Sequence, residues 1–229
     1  MLIFPGFPED ALTFYAQIAE NNNKPWFEAN KPRFKNNVQK PAQMFVEIFG
    51  DRLRELVDGM QYDTRLTGSG SIFRIYRDTR FSKDKTPYKT NLAIAWWQGS
   101  GKKTNRPSFY FGLEPDSAFF GGGTYMFVSD YLEKYREAVA DDKMGNELAD
   151  ILAEVTDKGY TIRGEQYKKV PRGYDKEHPR GDLLKYKGMY LAGQNVTPDI
   201  VTSADLVDHC YSIAADYAPL IKWQAAVFD

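Results

Sequence analysis

Apolar positions recur along this chain with two different periods, and the changeover between them divides it. From Glu9 to Asn21 the apolar residues Leu12, Tyr15, Ala16, Ile18 and Ala19 follow the 3.6-residue period of a helix. Asn22-Asn23 interrupts it, and Pro25 suits the first turn of a second helix. That helix runs from Lys24 towards Val57, with Trp26, Phe27, Phe34, Val38, Phe45, Ile48, Phe49 and Leu53 as its apolar positions. Pro32 and Pro41 are expected to kink or divide it, since each lacks an amide donor. After Gly68-Ser69-Gly70-Ser71 the period drops to two: Ile72–Tyr76, Leu92–Trp97 and Phe109–Leu113 alternate as strands do. Ser117–Met126 is a fourth strand, interrupted by Gly121-Gly122-Gly123, where a bulge or a close backbone approach is expected. Phe109, Phe111 and Leu113 would cover one sheet face; Ala93, Ala95 and Gly112 leave the other open to a close neighbour.

Helical periodicity resumes at Ser129–Ala140, with Ser129 as N-cap, and again at Asn146–Thr156. Tyr190–Val196 is a short strand, and Thr202–Asp205 resembles a cap ahead of a last helix that Pro219 bends or ends. The pattern therefore predicts one α+β domain over 1–229: helical at 8–58, β-rich at 65–126, helical at 129–158, irregular and basic at 159–189, with a C-terminal helix at 203–227. An antiparallel sheet of about four to six strands, from residue 72 to 126 with additions near 190, would pack against helices from both ends of the chain.

Composition narrows the setting. No run of ~18 apolar residues exists to span a membrane. The first residues lack the basic stretch and apolar run of a signal peptide. The single cysteine, Cys210, excludes an internal disulfide framework and fits the reducing cytoplasm. Two histidines and one cysteine do not make a zinc site, and no metal is expected. Nothing in the chain specifies a cofactor or an oligomeric state. Gly99-Ser100-Gly101-Lys102-Lys103-Thr104 has the wrong spacing for a phosphate loop and is expected to be an exposed turn.

Charge changes the picture more. The net charge of −1 conceals an acidic stretch, 114–158, of eleven acids and four bases. It also conceals two basic ones, 72–90 and 163–187, each net +4. In the first, a strand burying Phe73 and Ile75 and projecting Arg74 and Tyr76 runs into a loop rich in donors. Arg74, Arg77, Arg80, Lys83, Lys85 and Lys89 suit an anion, with arginine offering paired donors and lysine a point charge. The second, Lys168–Arg180, adds Arg172 and the one histidine outside a predicted helix, His178. Asp78, Tyr88 and His178 are the candidates for proton transfer. If the two segments lie more than about 15 Å apart, no small ligand can touch both.

The residues Phe73–Lys89, the triple glycine and Pro-Arg-Gly-Tyr-Asp-x-x-His-Pro at 171–179 resemble the signatures of the domain of unknown function 2461 family, as does Asn21–Lys31. The resemblance implies a one-domain layout and no activity. Three readings stand. The chain holds a pocket for a phosphorylated or otherwise anionic small molecule, with or without catalysis. Alternatively it is a nucleic-acid binding module, its bases interleaved with Tyr76, Phe81, Tyr88, Trp96 and Trp97. In the third it is a structural or protein-interaction domain, its basic loop braced by ion pairs.

Overall fold

A computed structural model of the chain describes residues 3–164 and 166–228. Three helices open it: α1 (Glu9–Glu20), α2 (Lys24–Arg33) and α3 (Lys40–Leu56), the last two joined through a π turn at Phe34–Gln39. Strands β1 (Met60–Gln61), β2 (Leu92–Gln98), β3 (Ser108–Leu113) and β4 (Ala118–Thr124) follow, with a 3₁₀ turn at Lys103–Asn105. Then come α4 (Ser129–Ala140), α5 (Asp142–Asp157), β5 (Thr161–Arg163), α6 (Gly181–Leu184), β6 (Met189–Val196), α7 (Pro198–Val201) and α8 (Leu206–Phe228). The six strands form one antiparallel sheet in the order β1-β2-β3-β4-β6-β5. This is an α+β domain.

Strand alternation decides which face is covered. Ile94, Trp96, Phe109, Phe111, Phe120 and Leu191 point to the helices and are fully buried. The Phe45 ring lies 5.0 Å from Phe111 and Phe49 lies 5.5 Å from Phe120, so α3 seals the middle of the sheet. From α8, Tyr217 stacks on Phe120 and sits over Gly122, where a side chain would collide with it. The opposite face carries Ala93, Ala95, Tyr110, Gly112, Phe119, Gly121 and Tyr190; the 3₁₀ turn folds back onto β2, and the Phe73 ring lies 6.3 Å from Tyr110.

Several expectations need correction. Ile72–Tyr76 is not a strand: it touches β2 through single bridges, and Ile72 and Ile75 are buried while Phe73 is partly exposed. Its spacing of three, not two, reflects a backbone that leaves the sheet after Phe73. The sheet begins earlier, at Met60, and gains β5 inside the stretch read as irregular. Between Pro32 and Pro41 the helical run is divided as expected, but by loosening and not by a break: a π turn separates α2 from α3, with the Lys40 amide reaching Lys35 five residues back. Pro219 lies within α8, held there by buried Tyr217, Ala218, Leu220 and Ile221 on either side. Ser129 caps nothing, whereas Asp141 caps α5 by accepting from the amides of Lys143 and Met144.

Candidate functional site

The first basic segment attaches to the edge of β2 through Phe73 N–H to Ala93 O (2.9 Å) and Ala95 N–H to Ser71 O (3.0 Å). It then leaves as a narrow loop whose two limbs meet at Tyr76 and Tyr88. Asn22, at the end of α1, grips the returning limb with both ends of its amide. It donates to Tyr88 O at 2.9 Å and accepts from Tyr88 N–H at 3.0 Å. The Tyr88 ring stacks on Phe27 of α2, 4.3 Å between centres, and burial pushes its phenol up, away from useful acidity. Tyr88 is a packing residue.

The tip of the loop binds its own charges. Arg80 pairs with Asp78 (2.7 Å), which that contact lowers to about 2. Arg77 pairs with Asp84, lowered to about 2 chiefly by the Thr86 amide and then by Arg77. Lys85 donates to Thr79 O at 2.8 Å. Lys83 is exposed, and Phe81 is 96% exposed. Asp78 is thus an ordinary ionised carboxylate in water, not a poised base.

Arg74 and Lys89, at the root of the loop, have no carboxylate partner among the described residues. Arg74 lies across Gly68 and borders a cavity of about 190 Å³. The cavity runs between the segment and the α1–α2–π-turn layer. Tyr15, Phe27, Phe34, Ile72 and Leu92 give it an apolar interior, and Lys31, Lys35 and Arg74 stand at its rim. An outer hollow shares Lys31 and Lys35 with it. Lys31 is engaged by Glu28 at 3.0 Å, while Lys35 is exposed and unpaired among the described residues. The π turn that carries Lys35 is fixed to α1 by Arg33 and Asn37, both donating to Asp10. The Arg33 contact holds the Asp10 carboxyl below its usual range.

Lys89 sits half-buried 5.5 Å from the centre of the Phe73 ring, and Lys103 stands over the same ring at 3.9 Å. Lys103, expected in an exposed turn, is 7% exposed and donates to Gly68 O and Gly70 O. Burial, then the neighbouring Lys89 charge, push its ammonium down to about 8, with Asp63 opposing. Burial and Arg74 lower Lys89 too.

The second segment lies elsewhere. It follows β5, and β2 and β5 are four inter-strand steps apart, about 19 Å at ~4.8 Å each. The structure therefore does not bring Arg172 or His178 to the first segment. Arg172 is exposed. His178 turns inward on its own loop, its Nδ1 accepting from the Arg180 amide at 3.0 Å. The segment's central residue is one the sequence reading passed over: Arg180, buried, with its guanidinium spread over the α4–α5 corner. It donates to Val139 O, Ala140 O and Asp141 O and to the side chains of Asn146 and Asp142, at 2.7 to 3.2 Å. Gly145 makes room for it, since a side chain there would meet Arg180 Nε at 2.4 Å.

The missed site residues had weak signals. Lys31 falls in the family-like stretch Asn21–Lys31; Lys103 falls in the glycine-flanked turn set aside as unremarkable; Lys35 had none. Among the described residues no group of histidine, cysteine and carboxylates could hold a metal. Cys210 is buried and its thiol is pushed up by burial. No described helix is long and apolar enough to cross a membrane. A search of curated proteins finds no match to the chain. A family described as conserved hypothetical protein, DUF2461, matches residues 10–223, and the chain belongs to that family.

Proposed function

We propose that the cavity beside the first basic segment binds a small anion with a compact apolar body, such as an aromatic carboxylate or phosphate ester. The observation that carries this is a partly open apolar hollow with two cations at its mouth, Lys35 and Arg74, that have no partner among the described residues. Its volume of about 190 Å³ suits one ring, since an apolar cavity of roughly 150 Å³ takes benzene. An anionic group at the rim would supply the counter-charge that the fold withholds. The lining includes no histidine or carboxylate, so the arrangement favours binding over acid–base chemistry.

The loop tip supports a structural reading for that part alone. Arg77, Arg80 and Lys85 all find partners within the loop, which braces it without offering charge to a ligand. From this segment only Arg74, at the root of the loop, lines the cavity, where Lys35 of the π turn joins it.

Melting curves with phenyl phosphate, benzoate and inorganic phosphate test the reading. A ligand at about 100 times its dissociation constant adds roughly 2.7 kcal/mol to stability. Stabilisation by the ring-bearing anions, lost in a folded Arg74→Ala/Lys35→Ala variant, is expected. Equal stabilisation by inorganic phosphate, or none by any ring-bearing anion, would refute it.

A further inference from the structure

We propose that the helix-free face of the sheet is a binding surface for single-stranded nucleic acid, a second site beyond the cavity. This face joins two features that start at Phe73 and Arg74, which it shares with the cavity, and run on to β5, beyond it. The first is a run of partly exposed rings. Phe73 lies 6.3 Å from Tyr110, and Tyr110 is stacked on Phe119 at 5.4 Å and 26°. Two strands further on, Tyr190 pairs with Tyr125 at 5.7 Å, and Trp97 lies on the same face. Between these rings the side chains are small: Gly121 and then Ala192 follow Tyr110 across the register, and Ser108 and Gly123 separate Trp97 from Tyr190. With no bulky side chain between the rings, a flat group can stack against the exposed side of one, which every nucleobase does and which needs bases free of a duplex.

The second feature is charge at both edges. On the β2 edge, Lys89 and Lys103 crowd one ring, with Arg74 adding to the repulsion. The one carboxylate acting on Lys103, Asp63, is itself bound by Arg65 at 2.6 Å. On the far edge, Arg163 stands beside Tyr190 in the register and is exposed. The opposing charge on the face is Glu114, near Tyr110. Lys103 is buried and occupied by the Gly68 and Gly70 carbonyls. Exposed Arg74 and half-exposed Lys89 have no carboxylate partner among the described residues, and at this rim they complement a backbone of phosphates whose bases cross the sheet. A single nucleotide would engage one edge; rings and cations spread over β2 to β5 favour a strand several nucleotides long. A peptide would use neither the floor nor this charge pattern as well.

Fluorescence anisotropy with labelled ten-nucleotide oligo-dT and oligo-rU, and with a duplex of equal length, tests the proposal on the full chain. Single strands are expected to bind at least tenfold more tightly than duplex. Affinity should fall with salt at a logarithmic slope of about −1.4 to −2.1, for two or three phosphate contacts. Lys89→Glu should weaken binding at least tenfold and flatten that slope. Tyr110→Leu should weaken it roughly tenfold with the slope intact, and Tyr110→Phe should restore it, which separates stacking from a folding defect. Duplex binding as tight as single-strand binding, no binding at about 100 µM, or a Tyr110→Leu variant that binds like wild type would each overturn it. Tyr110 is outside the cavity lining, so Tyr110→Leu is expected to keep the stabilisation by phenyl phosphate, and this site stands or falls apart from the cavity.

Discussion

The two basic segments carry the same net charge of +4, yet the fold uses their arginines in opposite ways. In the second, Arg180 is buried and each of its three nitrogens donates to carbonyls at the end of α4 or to groups at the start of α5. The orphan carbonyls of a helix end need donors, and a rigid fork meets several at once. In the first, Arg77 and Arg80 close small rings with carboxylates on the surface, while Arg74 and Lys89 at the root have none. Charge density therefore says little about role. What surrounds each guanidinium decides whether it holds the fold, stiffens a loop or waits for a ligand.

Removing Arg180 should break this contrast most severely. Arg180→Ala strands the Val139 and Ala140 carbonyls, the Asp141 carbonyl keeping the Gly145 amide, and is expected to cost about 3 kcal/mol in urea denaturation. Arg180→Lys should recover little, because an ammonium cannot span the same acceptors. Gly145→Ala tests the same corner from the other side. The added methyl would meet Val139 O at 2.3 Å as well as Arg180, so a loss of about 1–3 kcal/mol is expected despite alanine's better helix propensity.

Lys103 gives a pH-dependent effect. Its folded value of about 8 lies below the ordinary 10.5, so the unfolded chain binds more protons between those limits. Stability must therefore rise with pH across that window, where the cost of the buried charge is relieved. Between pH 7.5 and 9.5 wild type should gain about 2 kcal/mol relative to Lys103→Met. A flat difference would mean that the ammonium stays charged throughout.

The smallest effect belongs to the loop tip. Arg80→Ala should leave the melting temperature unchanged, since the Asp78 pair is fully exposed. A drop comparable to that of Arg180→Ala would erase the distinction between the segments.

The fold was legible where side chains face two different media. Leu92–Trp97 and Phe109–Leu113 alternate because one side meets α3 and the other does not. β1 and β5, of two and three residues, are too short to show a period, and they exist only because β2 and β6 offer free edges. The apolar period places the helix at Asn146–Thr156, whereas α5 starts at Asp142; the reason for Gly145 in its first turns, an arginine crossing from 35 residues away in sequence, is invisible to local pattern. The site was legible in part for a similar reason. Arg74 and Lys89 stand in an unusual run of bases, whereas Lys31 and Lys35 read as ordinary helix-surface charges, and only tertiary packing brings them to the cavity rim.

The π turn at Phe34–Gln39 holds one residue more than the α turn it replaces, and it absorbs that residue locally, so the helices on either side keep their facing. That spare residue lets the lip take a different spacing from its flanks. A deletion between 34 and 39 would set Pro41 in a continuous α-helix, where it lacks an amide and crowds the carbonyl four residues back. The loosened turn is therefore what lets two prolines stand in one helical run. The sheet edge across from it, tied to Ala93 and Ala95 amide by amide, allows no such freedom.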